Sequence, residues 1–331
     1  MRGRVGWRVL AAAAIAILAT PADAADRIKA TVPVLADTAY AMYHVAQEKG
    51  YFAAEDLDVE IVVAGGGVAT PALISGDVQF TGSSGAAIPA ILRGAPLKLV
   101  MVTQDHPSYQ LWASDPAIKT LKDLVGKQVG VISRGDSTEA ATRRVLQNAG
   151  VDPNSVAFSG MSFPNGRATA LLSGALPAAA LTFDDVAQVE NSPKAHLLAD
   201  ISKMVSMVVG GAVSSDKMIQ NDRPRALRFL RAVIKGFRYV KANENGTLDI
   251  LMKRNPGGTR EHFALVYDRV VKTMTKDGTV SDALAQQAID ENGEVLGIPP
   301  EKRRKLDEFV DFSLAREVNH ELDQSGWKPQ P

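Results

Sequence analysis

The sequence predicts an α/β fold of two lobes, each a mostly parallel sheet flanked by helices. Short apolar runs alternate with amphipathic segments, and glycine-rich or capping residues separate them. A heptapeptide at 72–78 (ALISGDV) recurs at 170–176 (ALLSGAL), and each copy is typical of a short helix that ends at Ser-Gly before a strand. About 307 residues follow residue 24, which is enough for two lobes.

Residues 1–24 are expected to form a cleaved secretory signal peptide. Three arginines precede an apolar run at 9–20, and the small residues Ala22 and Ala24 stand where a signal peptidase reads the chain. The apolar run is shorter than the roughly 20 residues that span a bilayer. The chain has no cysteine, so we expect no lipid anchor, disulfide or thiolate metal site, and a soluble periplasmic protein.

The first lobe is predicted to place polar residues at one edge of its sheet. Predicted strands at 27–35, 58–63, 77–82 and 97–102 alternate with predicted helices at 39–49, 69–75 and 86–93. Ligands bind beyond the carboxyl ends of parallel strands. The residues at those ends are Asp37, Gly65 to Gly67, Ser83, Ser84 and Gln104 to His106.

The glycine run at 65–67 does not predict a nucleotide site. It lacks both the GxGxxG pattern and the Gly-Lys-Ser/Thr of a phosphate loop. We interpret these glycines as a site of close backbone packing or positive φ.

The second lobe repeats the arrangement of the first. An extended segment at 109–114 and a short helix at 121–127 precede predicted strands at 128–132, 156–159 and 178–181 and predicted helices at 139–149 and 167–173. The chain then returns through 204–209 and a hinge at Gly210 and Gly211. The rest is predicted to be helical and to pack on the first lobe, at 225–243, 248–253, 263–274, 282–296 and 303–318.

Four stretches resemble the type II periplasmic solute-binding proteins of ABC importers. They are 43–52 (YHVAQEKGYF), 72–78, 121–131 (LKDLVGKQVGV) and 178–184 (AAALTFD). They fall in the family's order, and the nearest branch binds aliphatic sulfonates, taurine, nitrate and a thiamine-precursor pyrimidine. The resemblance implies lobe boundaries at 25–112, 113–209 and 210–331, with Ser114 also at the hinge.

The resemblance also implies that the lobes close over a solute, which is then delivered to an inner-membrane permease. The implied ligand contacts are Asp37, Tyr40, Ser83 and Ser84 from the first lobe, and Ser137, Thr138, Asn165 and Phe183 from the second. The chain departs from the branch at 183–184, where Phe-Asp replaces a frequent Glu-Pro. Because of this departure, the resemblance does not decide which residue contacts the ligand at 183–184.

The helix starts predict an anionic solute, a carboxylate or sulfonate with an aromatic body as one form. Arg134 could bind such a group through two hydrogen bonds, or it could pair with Asp136 in solvent. His106 is a further candidate contact. Aromatic candidates for the body of the ligand, or else for core packing, are Tyr40, Tyr109, Trp112, Phe163 and Phe183.

Asp37 and Asp105 point to a different ligand. A carboxylate in the cleft disfavours an anion, and Asp37 also fits the N-cap of the helix that follows it. If Asp37 faces the solute instead, an amine or a ring N–H is the better ligand.

Two other functions fit the same fold. One is an enzyme that resembles a thiamine-pyrimidine synthase, although that enzyme uses a cysteine-rich motif and this chain has no cysteine. The other is a binding protein that serves a membrane sensor. The five histidines are scattered, and no catalytic triad, metal spacing or cofactor motif is present in the sequence. Because 37 basic and 37 acidic residues balance, no nucleic-acid partner is indicated. The resemblance to the solute-binding proteins implies a monomer.

Overall fold

The computed structural model describes residues 25–161 and 166–330. The predicted signal peptide, Phe163 and Asn165 lie outside the described residues. The described strands form two five-stranded mixed sheets with helices around them. In chain order the strands are β1 (Asp26–Val32), β2 (Leu57–Val63), β3 (Phe80–Thr81), β4 (Leu97–Met101), β5 (Tyr109–Ala113), β6 (Gln128–Val131), β7 (Ala157–Gly160), β8 (Ala178–Thr182), β9 (His196–Ala199) and β10 (Ala212–Ser215).

Helices follow most of the strands and dominate the last third of the chain. They are α1 (Ala41–Glu48), α2 (Gly66–Ser75), α3 (Ser84–Leu92), α4 (Ser137–Asn148), α5 (Gly166–Leu172), α6 (Phe183–Val189), α7 (Ile201–Met204), α8 (Asp216–Asn221), α9 (Arg223–Ala242), α10 (Glu244–Arg254), α11 (Arg260–Val271), α12 (Asp282–Val295), α13 (Leu306–Phe309) and α14 (Ser313–Gln324). Single 3₁₀ turns lie at Thr38–Tyr40, Ala53–Glu55, Leu121–Leu124, Pro153–Ser155 and Pro300–Lys302. None of the described helices meets the length and apolarity that a membrane span requires.

Each sheet contains one antiparallel strand. The first sheet has the order β2-β1-β3-β10-β4, and β10 runs antiparallel to both of its neighbours. The second has the order β7-β6-β8-β5-β9, and β5 runs antiparallel to both of its neighbours. In both sheets the antiparallel strand directly follows a segment in which the chain passes over from the other sheet. The predicted α/β fold with two mostly parallel sheets is therefore confirmed.

We refer to the first sheet with its helices, 25–101 and 212–330, as the first half, and to 109–199 as the second half. The two crossings between them are 102–108 and 205–211. Since β5 pairs within the second sheet along its whole length, the first crossing ends before Tyr109, earlier than the predicted boundary after Trp112. Ser114 lies at the other end of β5 and donates to the carbonyl oxygen of Leu176 at 2.7 Å, so it is within the second half and not at a crossing.

Several short elements were not predicted. The strands β9 and β10 have only four residues each, and β10 ends in two serines, so neither shows a clear apolar alternation. The hydroxyl of Ser214 is accommodated inside the first half because it donates to the carbonyl oxygen of Gln79 at 2.8 Å. The predictions also missed α6, α7 and α8.

The single helix predicted at 303–318 is wrong. The chain forms α13 and α14 instead, separated by a short extended segment. Val310 makes a parallel bridge with Leu99, and the N–H of Asp311 donates to the carbonyl oxygen of Leu99 at 2.8 Å. Pairing with the free edge of β4 thus interrupts the helix.

The core of the first half forms around the aromatic side chains of α9. The ring of Phe229 stacks on that of Phe80 of β3 with 3.9 Å between their centroids, and the ring of Phe52 stacks on Phe229 with 5.5 Å between centroids. All three side chains are buried. This packing fixes β3, and with it the turn that follows β3, against the longest helix of the described chain.

Candidate solute-binding site

The helices that follow β3 and β6 meet at their first turns. A Cβ added to Gly85, in α3, would lie 3.0 Å from the Cβ of Ser137, in α4. The ends of two strands from different halves therefore face each other across a narrow gap. Glycine at position 85 permits this close approach, since a Cβ there would press on Ser137. We take the gap and its surroundings as the candidate site.

The wall from the first half begins with the turn after β1. The carboxylate of Asp37 accepts a hydrogen bond of 2.8 Å from the N–H of Ala39, which confirms the predicted capping role. Asp37 remains partly exposed, and so does Tyr40, whose ring lies against Gly82 at the end of β3. Both side chains therefore border the gap.

Ser83 and Ser84 complete the first wall. Their hydroxyl oxygens are buried, and neither has a hydrogen-bond partner within the described residues. The same holds for the hydroxyl of Thr38, next to Asp37. Buried hydroxyls are seldom left without a partner, so the two at the start of α3 mark a place for water or a ligand.

The wall from the second half is formed by Tyr109 and the start of α4. The hydroxyl groups of Tyr109 and Ser137 lie 2.8 Å apart. Asp136 caps α4 by accepting from the N–H groups of Thr138 and Glu139 at 3.0 and 3.1 Å. The hydroxyl of Thr138 donates to Asp136 at 2.6 Å and accepts from Ile132, so its bonds are already made within the second half.

A buried ion pair lies behind this wall. The guanidinium of Arg167, in α5, donates to the carboxylate of Asp185, in α6, and to the carbonyl oxygen of Met161 at 2.9 Å. Its Nε is buried and has no partner in the described part of the chain. Sequence analysis missed both residues. The available signal was a single arginine in the otherwise small and apolar helix GRATALL.

Carboxyl groups from both halves approach each other in the site. Burial raises the pKa of Asp37 to about 8, and the negative charges of Asp184 and Asp185 add to the rise. The N–H of Ala39 opposes it. Burial also raises the pKa of Asp185, and the adjacent Arg167 counters that change. The site therefore contains more acid than base.

The tyrosine hydroxyls in the site remain protonated. Burial raises the pKa of Tyr40 well above its ordinary value, and the nearby Tyr109 and Asp37 raise it further. Burial likewise raises the pKa of Tyr109. Both groups can donate hydrogen bonds, and both lie close enough to Asp37 to feel its charge.

Some predicted contacts point elsewhere. The guanidinium of Arg134 donates to Glu139 at 2.8 Å and to the carbonyl oxygen of Phe158 at 3.1 Å, and its side chain is 59% exposed. The predicted alternative partner of Arg134, Asp136, instead caps α4. His106 pairs with Asp105 at 2.8 Å on an exposed part of the first crossing.

The aromatic candidates divide between site and core. Tyr40 and Tyr109 border the gap, whereas Trp112 packs in a core cluster of the second half. Phe183 is buried in the core cluster of the first half, so the start of α6 is inserted between the two halves. Within the described ranges, no three His, Asp or Glu side chains are grouped as a metal site would need.

A family model described as NMT1/THI5 like matches residues 37–246, which include both walls of the site. The chain belongs to the NMT1/THI5-like family. No curated protein sequence matches the chain.

Solved structures share the fold of this NMT1/THI5-like chain. A protein from Bordetella bronchiseptica RB50 is similar at a TM-score of 0.76 and 20% identity, covering 90% of this chain and 98% of the other. The periplasmic aliphatic sulphonate binding protein SsuA from Escherichia coli is similar at 0.70 and 16%, covering 86% and 92%. The periplasmic nitrate-binding protein NrtA from Synechocystis PCC 6803 is similar at 0.66 and 15%, covering 92% of each chain. The chain therefore has the periplasmic-binding-protein fold.

Proposed function

We propose that this protein is the periplasmic solute-binding component of an ABC importer, and that its solute presents a protonated amine or a ring N–H to Asp37. The observation that supports this ligand class is the position of Asp37 opposite Asp184 and Asp185 of the other half. A monomer that delivers the solute to an inner-membrane permease is part of the same proposal. Two of the similar structures are binding proteins by name, which supports a role in binding over one in catalysis.

The chemistry of the site favours a solute that carries a positive charge or donates hydrogen bonds. Arg167 neutralises Asp185, whereas neither Asp37 nor Asp184 has a guanidinium partner among the described residues, and Asp184 lies 3.7 Å from the ring of His262. Two carboxylates that face each other repel unless a proton or a cation lies between them. An ammonium placed at Asp37 would supply that charge, and Asp37 would release its proton as such a solute binds. A neutral ring N–H would supply no charge but could donate a hydrogen bond to the carboxyl group of Asp37.

A small organic anion is the second candidate. The observation in its favour is the pair of buried, unpartnered hydroxyls of Ser83 and Ser84 at the start of α3. Hydroxyl and N–H donors at a helix start suit a carboxylate or sulfonate. Arg134, the predicted anchor of the anion, gives less support to this class because its guanidinium is held by Glu139 and Phe158.

A thermal-shift screen distinguishes the two classes. The protein starting at Ala25 would be unfolded and refolded to remove bound solute, and then heated with amines, aminopyrimidines, sulfonates, carboxylates or nitrate. At 100 times its Kd a ligand stabilises the folded state by about 2.7 kcal/mol. We expect hits among the amines or aminopyrimidines, without chemical conversion of the compound.

The variant Asp37→Asn tests the role of the carboxylate, because asparagine can still cap the turn. We expect it to abolish the amine response. The control Asp58→Asn changes an exposed carboxylate of β2 and should leave that response intact. Hits confined to acids would overturn the amine proposal in favour of the anion, and turnover of any hit would overturn the binding-protein proposal.

A further inference from the structure

Two arginine–carboxylate pairs join the first half to the second among the described residues. Arg144 of α4 pairs with Glu291 of α12. Arg269 of α11 donates a hydrogen bond of 2.6 Å to Glu190, which directly follows α6. We call them the α4–α12 pair and the α6–α11 pair. Every other arginine–carboxylate pair of the described chain lies within one half.

The two pairs lie on opposite faces of the sheets. Along β8, Ala180 belongs to the core cluster that contains the apolar residues of α4, whereas Leu181 belongs to the cluster that contains those of α6. Along β4, Leu99 packs in the cluster of α12 and Val100 packs in that of α11. Because neighbouring residues of a strand point to opposite faces, each face of the molecule has one pair between the halves.

The candidate site lies between the two pairs. On one face, Gly85 and Ser137 line the same cavity of about 390 Å³ as the α4–α12 pair. On the other face, Asp184 at the start of α6 lies 3.7 Å from the ring of His262 in α11. A movement that separates the halves and opens the site would therefore break one or both of the pairs.

The four charged groups depend on the opposite half for their partners. None of them has an ion-pair partner in its own half among the described residues, and their side chains are only 20–31% exposed. The second carboxylate oxygen of Glu291 and the Nη1 of Arg269 are buried and have no partner in the described part of the chain. The neighbouring carboxylate of Asp290, by contrast, pairs with Arg303 inside the first half. Only charges of the first kind lose their partner when the halves separate.

We propose that these two pairs are closing contacts that hold the halves together over the site, whichever solute is bound. Because they form only when the halves meet, they favour the closed arrangement in the solute-free protein as well. They thereby contribute to the affinity for any solute that is bound by closure. The open arrangement leaves four charges to be solvated, and dissolved salt reduces the attraction that opposes it.

Distances between spin labels test this proposal without any solute. The chain has no cysteine, so two introduced cysteines are the only labelled positions. Lys122→Cys with Glu301→Cys reports on the face of the α4–α12 pair, and Lys194→Cys with Glu261→Cys reports on the face of the α6–α11 pair. All four positions are exposed. The protein starting at residue 25 would be refolded to remove bound solute and measured by pulsed electron paramagnetic resonance.

We expect the loss of either pair to lengthen the label distances. Glu291→Gln and Arg269→Gln should each raise the ratio of open to closed molecules about fivefold, and about 25-fold together if the pairs act independently. Addition of about 1 M NaCl to the wild type should shift the ratio in the same direction. The controls Asp290→Asn and Arg260→Gln break ion pairs inside the first half and should leave the distances unchanged.

Reversal of one pair separates the effect of charge from that of side-chain loss. Arg144→Glu combined with Glu291→Arg keeps opposite charges across the halves and should restore the distances of the wild type. Distances that stay the same in both single variants and in salt would overturn the proposal, and so would equal shifts in the control variants. The salt series on the wild type decides the question if the variants do not fold.

Discussion

The hydroxyl of Tyr43 donates a hydrogen bond of 2.6 Å to the carbonyl oxygen of Gly211. Tyr43 belongs to α1, directly after the turn that holds Asp37, and Gly211 ends the second crossing. Both groups are buried, and 168 positions of sequence separate them. The bond therefore fixes the crossing against the helix that supports one wall of the candidate site.

We expect Tyr43→Phe to lower the free energy of unfolding by about 1–3 kcal/mol. The variant leaves the buried carbonyl oxygen of Gly211 without this donor, and a buried unsatisfied acceptor has a cost of that size. Urea denaturation measures the change. Tyr51→Phe removes a hydroxyl from a partly exposed ring beside Trp327 and should change stability much less. Equal stability of wild type and Tyr43→Phe would show that the bond contributes nothing.

The backbone of Gly211 makes a second, independent prediction. Its φ of +111° is unfavourable for other residues, and a Cβ there would overlap the carbonyl oxygen of Met101. We expect Gly211→Ala to abolish folding or to lower the melting temperature far more than Gly174→Ala. Gly174 has a φ of +77° and open space around it, so alanine there should cost only about 1–2 kcal/mol. Similar melting temperatures for the two variants would contradict this account.

The sequence predicted the elements that have local signals. Asp37 was recognised as a cap because an acidic residue before a helical pattern is a local feature, and the structure confirms it. The strands β2 and β4 are predicted to within one residue at each end, whereas the predicted first strand runs three residues beyond the end of β1 at Val32. The break in the helix at 303–318 could not be predicted, because it depends on an edge of β4 that is about 200 residues away in sequence.

The electrostatics of the site were beyond local sequence patterns. Arg134 was chosen because it lies in a polar turn, but the burial that gives Arg167 its role depends on how α5 packs on α6. The proximity of Asp37 to Asp184 likewise arises only when two halves approach. Periodicity and turn residues carry no information on such contacts between distant segments.

Arg167 is expected to be far more important for stability than Arg134. Arg167→Met leaves the carboxylate of Asp185 buried without its cation, which typically costs about 3–5 kcal/mol. Arg134→Met is the matched control, because Glu139 keeps Arg143 at 2.8 Å and the N–H of Gly135 at 2.9 Å. Denaturant unfolding at pH 7 compares the two. A smaller loss for Arg167→Met than for Arg134→Met would contradict the role of the buried pair.

The raised pKa of Asp37 predicts that the contribution of this carboxyl group to the stability of the solute-free protein falls as pH rises from about 4 to about 8. The ordinary pKa of this group is 3.8, and burial together with Asp184 raises it to about 8 in the folded state. Between these values the folded state keeps a proton that the unfolded state has released, so raising the pH favours unfolding. Tyr40, Asp185 and the pair of His262 with Asp184 face the same region.

The difference in stability between wild type and Asp37→Asn isolates this contribution. Urea titrations at several pH values from 4 to 9 should show wild type losing stability relative to the variant as the pH rises. Asp58→Asn, on the exposed face of β2, should show no such trend. If the difference in the free energy of unfolding between wild type and Asp37→Asn stays constant over this pH range, the raised pKa of Asp37 is ruled out.

His44 contributes a loss of stability in acid, opposite in sign to the contribution of Asp37. It is buried in α1, and neither ring nitrogen has a well-formed hydrogen bond in the part of the chain that the structure describes, although the backbone of Leu35 lies near enough to favour the charged ring. Burial lowers its pKa from 6.5 to about 4, and the charge of Arg254 lowers it further. As pH falls from about 6.5 to about 4, the unfolded state gains a proton that the folded state does not accept, so the free energy of unfolding falls.

His44→Phe should remove this contribution, because phenylalanine fills a similar volume and cannot be protonated. The variant should therefore gain stability relative to wild type as the pH falls from 7 to 4.5. His320→Phe makes the same substitution at an exposed position of α14 and should show no such gain. Melting temperatures recorded at pH 4.5 and pH 7 decide the question, and a difference between His44→Phe and wild type that is the same at both pH values would assign the effect to other groups.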